Sequence, residues 1–363
     1  MITDMRTRVA GALVVAAAAC AATVPSQTAW VERYYARGWY PVIQRGVTAT
    51  SNGVPFALLD LLIAAGLVVG ALATASVLRS PRGTRWRKLV HRAWQGVVVG
   101  ALVYLAFLAA WGCNYRREPV SAWLDFDKNR VTPAAVRSLN EQAVTEMSRL
   151  RGRLPPALDG WPARDELARG LLPALERGVR LLRLPAPVRA GRPKTSALDM
   201  YFTRAGVSGM TDPFFLETLV ASNVLPFEQP VVIAHEWGHL AGLARESDAS
   251  FFGWVVCLQG NESAQYSAWL EAFLHTLPAF SRDERLEVRR RLPDLVQADL
   301  DAMARRTARD QVRAVSLTAW NLYDRYLRAN RVAAGVRNYS EVVQLMVGTR
   351  FAPGWTPVVR SQD

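Results

Sequence analysis

The sequence predicts a mainly α-helical membrane protein with a small β element: a membrane region (1–113) of transmembrane helices, then a helical domain (114–363). Three observations predict it. Three long apolar runs lie within the first 112 residues, hydrophobic residues make up 50% of the chain, and capped amphipathic segments dominate from Asn114 onward.

The apolar runs cover about 9–30, 54–78 and 94–112, each near the ~20 residues needed to cross a hydrocarbon core of about 30 Å. The first follows Arg6 and Arg8 and reads as a retained span, with a cleaved signal peptide as the alternative. Asp60, near the start of the second run, is costly in lipid unless it reaches the outer interface or bonds a neighbouring helix. Between the second and third runs, RSPRGTRWRKLVHR carries Arg79, Arg82, Arg85, Arg87, Lys88 and Arg92 in a short connection. The positive-inside rule places that connection in the cytoplasm, so everything beyond Gly112 is expected outside it.

In the second region, Thr132-Pro133 pairs an N-cap with a first-turn proline and opens a helix toward Arg153. Another helix covers about Asp165 to Leu184, and PAPVRAGRPK reads as a linker. ALDMYFTRAGVSGM and FFLETLVASN combine aromatic and β-branched residues with glycine breaks, which predicts short strands or a hairpin. Helical patterns then run to about Gly348, giving a core at 195–280 and a helical C-terminal part at 281–363.

Composition excludes two classes. The net charge is +13, but it is spread along the chain and Lys88, Lys128 and Lys194 are the only lysines among 44 basic residues. No basic stripe interleaved with aromatics appears, so nucleic acid is not an expected partner. Three cysteines, Cys20, Cys113 and Cys257, cannot build a disulfide framework and read as small buried hydrophobes.

The chemistry concentrates in IAHEWGHLAGLARESDASFF, residues 233–252. Four residues apart on a helix, His235 and His239 present two imidazoles to one ion. Glu236 is rotated by about 100° and reaches water at that ion without ligating it. Neutral imidazoles suit Zn2+, one per chain, with Glu236 as general base. The alternative is two histidines sharing a helix face in the core.

A catalytic zinc needs a third protein ligand. Gly242 permits a sharp helix exit, after which Glu246 opens a new helix. Asp248 is the alternative ligand, although it points elsewhere from Glu246 on a helix, and both acids also suit a solvated helix N-terminus. Ser250, four residues after Glu246, is placed to hydrogen-bond a ligating histidine. Tyr266 and His275 are the available donors to a developing oxyanion, against core packing and a surface position respectively. Arg245 stands where a three-histidine site would need its third histidine, which excludes that arrangement. The strand-like ETLVASN lies just before the motif helix, placed to hold an extended peptide by backbone pairing or to serve as plain sheet.

The chain resembles an uncharacterised family of bacterial membrane proteins with three N-terminal transmembrane helices and an HExxH zincin-like domain. The resemblance is carried by GWYPVIQR (38–45), WGCNYRREP (111–119), SGMTDPFF (208–215), LPFEQPVVIAHEWGHLAG (225–242), ESDASF (246–251), QYSAWL (265–270), YDRYLRAN (323–330) and GVRNYSEVV (335–343). It implies a zincin-like α+β metallopeptidase domain of the glutamate-zincin type, with Glu246 as ligand, in a multi-pass protein of the cytoplasmic membrane. That type places Asp or Asn four residues after the ligand, and Ser250 departs from it.

The expected function is therefore a membrane-anchored zinc-dependent peptidase acting on a polypeptide near the outer leaflet or on a cell-wall peptide. The rival is a non-catalytic membrane-anchored binding or regulatory module with a structural or degenerate zinc site. A solute carrier would need more spans than three.

Overall fold

In lipid, backbone groups must be satisfied within the segment, so apolar runs of this length form helices. The computed structural model describes residues 2–24, 27–185, 187–330, 332 and 341–360; residues 335–340 of the GVRNYSEVV stretch lie outside the described residues. It begins with α1 (Ile2–Thr23), the short α2 (Thr28–Trp30), a π-helical segment (Val31–Trp39) and α3 (Tyr40–Asn52). α4 (Leu58–Leu78) and α5 (Arg82–Ala110) follow. α1, α4 and α5 are each long and apolar enough to cross a membrane.

Two boundaries differ from the expected ones. α1 ends at Thr23, short of the expected limit at Trp30. The basic stretch expected as a connection is mostly the start of α5, because Pro81 caps that helix and nothing after it breaks helical geometry. The segment between α1 and α4 is helical and belongs to the protein core. Val31, Tyr35, Ala36, Tyr40 and Ala57 are buried with residues of the 114–363 region. Gln44 donates to the Arg189 carbonyl (2.7 Å) and Thr48 to that of Leu216 (3.0 Å).

Beyond a run of short 3-10 turns, α6 (Pro133–Arg151) starts as expected, with Thr132 Oγ1 accepting from the Ala135 amide. α7 (Arg164–Leu181) follows, and α8 (Asp199–Ala205) occupies the first half of ALDMYFTRAGVSGM, where a strand was expected. Asp199 in the first turn and Gly206 at φ 76° just past the end give that heptad the termini of a helix. Three short strands form one sheet in the order β1-β3-β2: β1 (Pro193–Lys194), β2 (Gly209–Thr211) and β3 (Thr218–Val220). β2 and β3 make the expected hairpin, and β1 adds in parallel. The PAPVRAGRPK stretch is therefore no free linker: it ends in a strand, and its Gly191 carbonyl accepts the Trp237 indole N–H at 2.8 Å.

The remaining helices are α9 (Gln229–Leu240), α10 (Glu246–Leu258), α11 (Glu262–Thr276), α12 (Arg282–Arg290), α13 (Asp294–Asp310), α14 (Arg313–Ala329) and α15 (Glu341–Gly348). Strands β4 (Phe351–Ala352) and β5 (Thr356–Pro357) pair at the C-terminal end. Every residue of α10 is buried, and it packs against α7, α9, α11 and α15, so it is the central helix. It lies close against α9: a Cβ at Gly253 would stand 2.8 Å from the His235 backbone nitrogen. That contact sets the α9–α10 spacing on which the candidate centre depends.

Two buried ionic networks fasten the parts. Arg151 donates to Asp299 Oδ2 at 2.6 Å, and so does the Tyr266 hydroxyl at 2.6 Å. Lys194 donates to Glu217 Oε1 (2.6 Å) and to the Ser51 carbonyl (2.6 Å). Glu217 also accepts the Leu58 and Leu59 amides, at 3.1 and 3.2 Å, and so caps α4. Asp60 accepts from Ser196 Oγ (2.5 Å) and the Ala197 amide (2.8 Å), so its cost in an apolar helix is met by the neighbouring domain.

Candidate metal centre

α9 carries His235, Glu236 and His239, and its end is shaped by backbone bonds. Gly242 takes φ 86°, a left-handed conformation that a Cβ would strain. The Gly242 amide donates to the His239 carbonyl (2.9 Å) and the Leu243 amide to that of Gly238 (3.0 Å), which is the Schellman pattern. Arg117, paired with Glu32 at 3.0 Å, holds the turn by donating to the Gly242 carbonyl at 3.0 Å. The turn has two consequences. It sends α10 back along α9, and it puts the Leu243 carbonyl 2.7 Å from His239 Nδ1.

A carbonyl only accepts, so His239 Nδ1 carries a proton, and Nε2 is the ring nitrogen turned away from that carbonyl. His235 Nδ1 lies 3.1 Å from Ser250 Oγ, which leaves Nε2 of His235 turned the same way. Glu246 Oε2 lies 3.2 Å from His235 Nε2 and 3.6 Å from His239 Nε2. One ligand atom from each of these residues lies within 4.8 Å of the others, so the trio could hold a metal ion. The donor set of two imidazoles and one carboxylate suits zinc with a position left open.

The electrostatics favour positive charge beside Glu246, and a metal bound there would displace a proton from His239. Burial opposes charge on His239, yet the adjoining Glu246 carboxylate outweighs it and raises the imidazole to about 9. Burial likewise disfavours the Glu246 carboxylate, but the two imidazoles hold it well below the usual range. Glu236 is pushed up by burial, with the histidines and a Thr211 hydrogen bond opposing. Thr211 Oγ1 donates to Glu236 Oε2 at 2.8 Å, which fixes the carboxylate beside the trio.

The trio opens on a cavity of about 570 Å³, lined along α9 by Val231, Val232 and Glu236, and closed by Ala319, Trp320, Tyr323 and Tyr326 of α14. β2 runs along it. The Ala221 amide donates to the Ser208 carbonyl and the Asp212 amide to that of Glu217, so by antiparallel alternation Gly209 and Thr211 turn their backbone groups to the open edge. The strand at the cavity is thus β2. β3, from the ETLVASN stretch, is the buried middle strand, since β1 and β2 pair on either side of it.

The structure brings together five residues singled out from the sequence, His235, Glu236, His239, Glu246 and Ser250, and places His275 on the same cavity wall. His275 bonds Glu271 at 2.8 Å; burial opposes its charge, and the Glu271 carboxylate raises it. Two do not join them. Tyr266 is fully buried with its hydroxyl on Asp299, because α11 turns that face into the core. Asp248, the alternative ligand, is buried on another face of α10, where it accepts the Val120 amide, and desolvation pushes it up to about 6.

Three residues at the centre carry no spacing signal. Tyr323 of α14 donates its hydroxyl to Glu246 Oε1. Thr211 supports Glu236, and Trp111 donates its indole N–H to the His239 carbonyl at 3.2 Å. They fall within YDRYLRAN, SGMTDPFF and WGCNYRREP, stretches that the family resemblance marks without giving them a role.

No curated protein and no solved structure matches this chain. Residues 35–347, which include the apolar helices α4 and α5, the three-stranded sheet and the whole His–Glu–His–Glu cluster, match the description "protein of unknown function", and the chain belongs to that family, DUF3810.

Proposed function

We propose that this protein is a membrane-anchored zinc peptidase in which His235, His239 and Glu246 hold the metal and Glu236 is the general base. The observation that carries the reading is the convergence of three ligand atoms within 4.8 Å beside a separate, oriented carboxylate on an open cavity. A structural metal site would be closed and would not need a buried acid next to it.

Bound zinc would supply a Lewis acid that polarises a peptide carbonyl and makes nearby water acidic. The protein's own residues do the rest. Glu236 takes the proton of the attacking water and returns it to the leaving amine. The outward backbone groups of Gly209 and Thr211 pair with an extended substrate as an added strand. His275 is the donor closest in kind to what a developing oxyanion requires, since it lines the cavity and Tyr266 does not. The basic residues at the start of α5 support a reading in which the domain lies on the outer side of a bacterial cytoplasmic membrane.

Metal analysis of the purified full chain tests the reading. One zinc per wild-type chain and none in His235→Ala is the expected result; a metal-free wild type would sink it. Tyr323 acts through Glu246 as a positioning residue, so Tyr323→Phe is expected to weaken zinc binding by about 10–100-fold, read by competition with a chromogenic chelator. Unchanged affinity would show that the hydroxyl contact does not orient the ligand.

A further inference from the structure

Basic residues are excluded from hydrocarbon, so the Arg82–Arg92 part of α5 lies outside it. Counting about 20 residues onward from Ala93 puts the opposite edge of the hydrocarbon at about Gly112. α4 fixes the same level independently. Its 21 residues, about 31 Å at 1.5 Å per residue, put Leu58 at that edge when Leu78 is at the other. Phe56, two residues before α4, is 49% exposed, as a residue of an aromatic belt is, and Trp30 and Trp39, between α1 and α4, are 46% and 47% exposed.

The metal cluster sits at this level. Trp111 directly follows α5, and its ring centroid lies 6.1 Å from that of His239. No linker intervenes. At the start of α4, Glu217 caps Leu58 and Leu59, and Asp60 is bonded to Ser196 and Ala197. α4 is therefore joined, through Glu217 and its partner Lys194 of β1, to the sheet whose outer strand borders the cavity, and α5 is joined to α9 through Trp111 on His239. A domain on a flexible tether could rise from the bilayer; this one is held against it.

We propose that the substrate is a membrane-anchored polypeptide, cut within the first few residues outside the bilayer, and not a freely soluble protein. The inference rests on the peptidase reading above. An extended chain advances about 3.3–3.6 Å per residue, so a site held at the membrane edge reaches bonds within the first few residues beyond a span. The cavity wall fits a chain emerging there, with Trp111 and Tyr115 on the side of α5 and Met210 and Pro213 on the side of β2.

The test uses the zinc-loaded full chain in phosphatidylcholine–phosphatidylglycerol vesicles and a randomised eight-residue cassette. The cassette is placed two residues or thirty residues beyond a single membrane span, or supplied as a free peptide, and cuts are mapped by mass spectrometry. The expected result is cleavage of the near cassette at least ten-fold faster than of the free peptide at equal total concentration, and at least as fast as of the far cassette. A near cassette that resists while the far or free one is cut overturns the inference and leaves the peptidase reading standing. So does a free peptide cut as fast as the near cassette. If zinc is bound and none of the three is cut above the Glu236→Gln background, the peptidase reading fails and this inference with it. A readout without turnover is photo-crosslinking of Glu236→Gln by a benzophenone set in the near or far cassette, the near probe being expected to label.

Discussion

Glu236→Gln is expected to keep one zinc per chain while lowering peptide hydrolysis by about 10²–10⁴-fold. Gln still accepts the Thr211 hydroxyl and fills the same volume, so the helix and the three ligands stay in place. What it loses is the ability to take a proton from water. The measurement is a paired one, metal content and initial rate on the same preparation. Loss of metal together with activity would make Glu236 a structural residue of the centre, and full activity would remove it from the chemistry.

The second large effect is on stability. Glu217→Ala is expected to destabilise the protein by about 3–5 kcal/mol, because it leaves the Lys194 ammonium buried with no carboxylate. Both side chains are almost wholly enclosed, at 2% and 0% relative exposure. The same change removes the acceptor for the first two amides of α4, a loss of about 1 kcal/mol for an ordinary helix cap. Thermal unfolding in detergent should show a clear drop in midpoint relative to wild type. A midpoint within experimental error of wild type would mean that Lys194 finds water or loses its charge at little cost. Glu217→Gln is the informative companion: it keeps an amide oxygen for the cap and loses the charge, so it should fall between the two.

These two residues also show how unevenly the sequence discloses the protein. Glu236 stands beside two histidines at a spacing that only a helix makes meaningful, and its place in the site was legible at once. Glu217 lies in a strand-like stretch and gives no sign that it pairs with Lys194, caps the apolar helix α4 and ties that helix to the sheet. Its partners are 23 residues away and more than 150 residues away in the chain. The same contrast runs through the centre itself. Spacing alone put Ser250 on the face of Glu246 and offered Glu246 after the Gly242 turn, while the choice of His235 as Ser250's partner came from the structure and Tyr323, 77 residues beyond Glu246, carried no local signal.

The sequence by itself determined that there are three long apolar helices, though not their ends, together with the helix bearing His235, Glu236 and His239, the turn at Gly242 and the capped start at Thr132. All of these are set by neighbours within about four residues, where hydrogen-bond geometry and helical period act. Only the tertiary structure placed Glu246 and not Asp248 beside the histidines, removed Tyr266 from the cavity, made β2 its bordering strand, and seated Trp111, just past α5, against His239. Those outcomes depend on which face of each helix is buried against which partner, and that is fixed by packing of elements far apart in the chain.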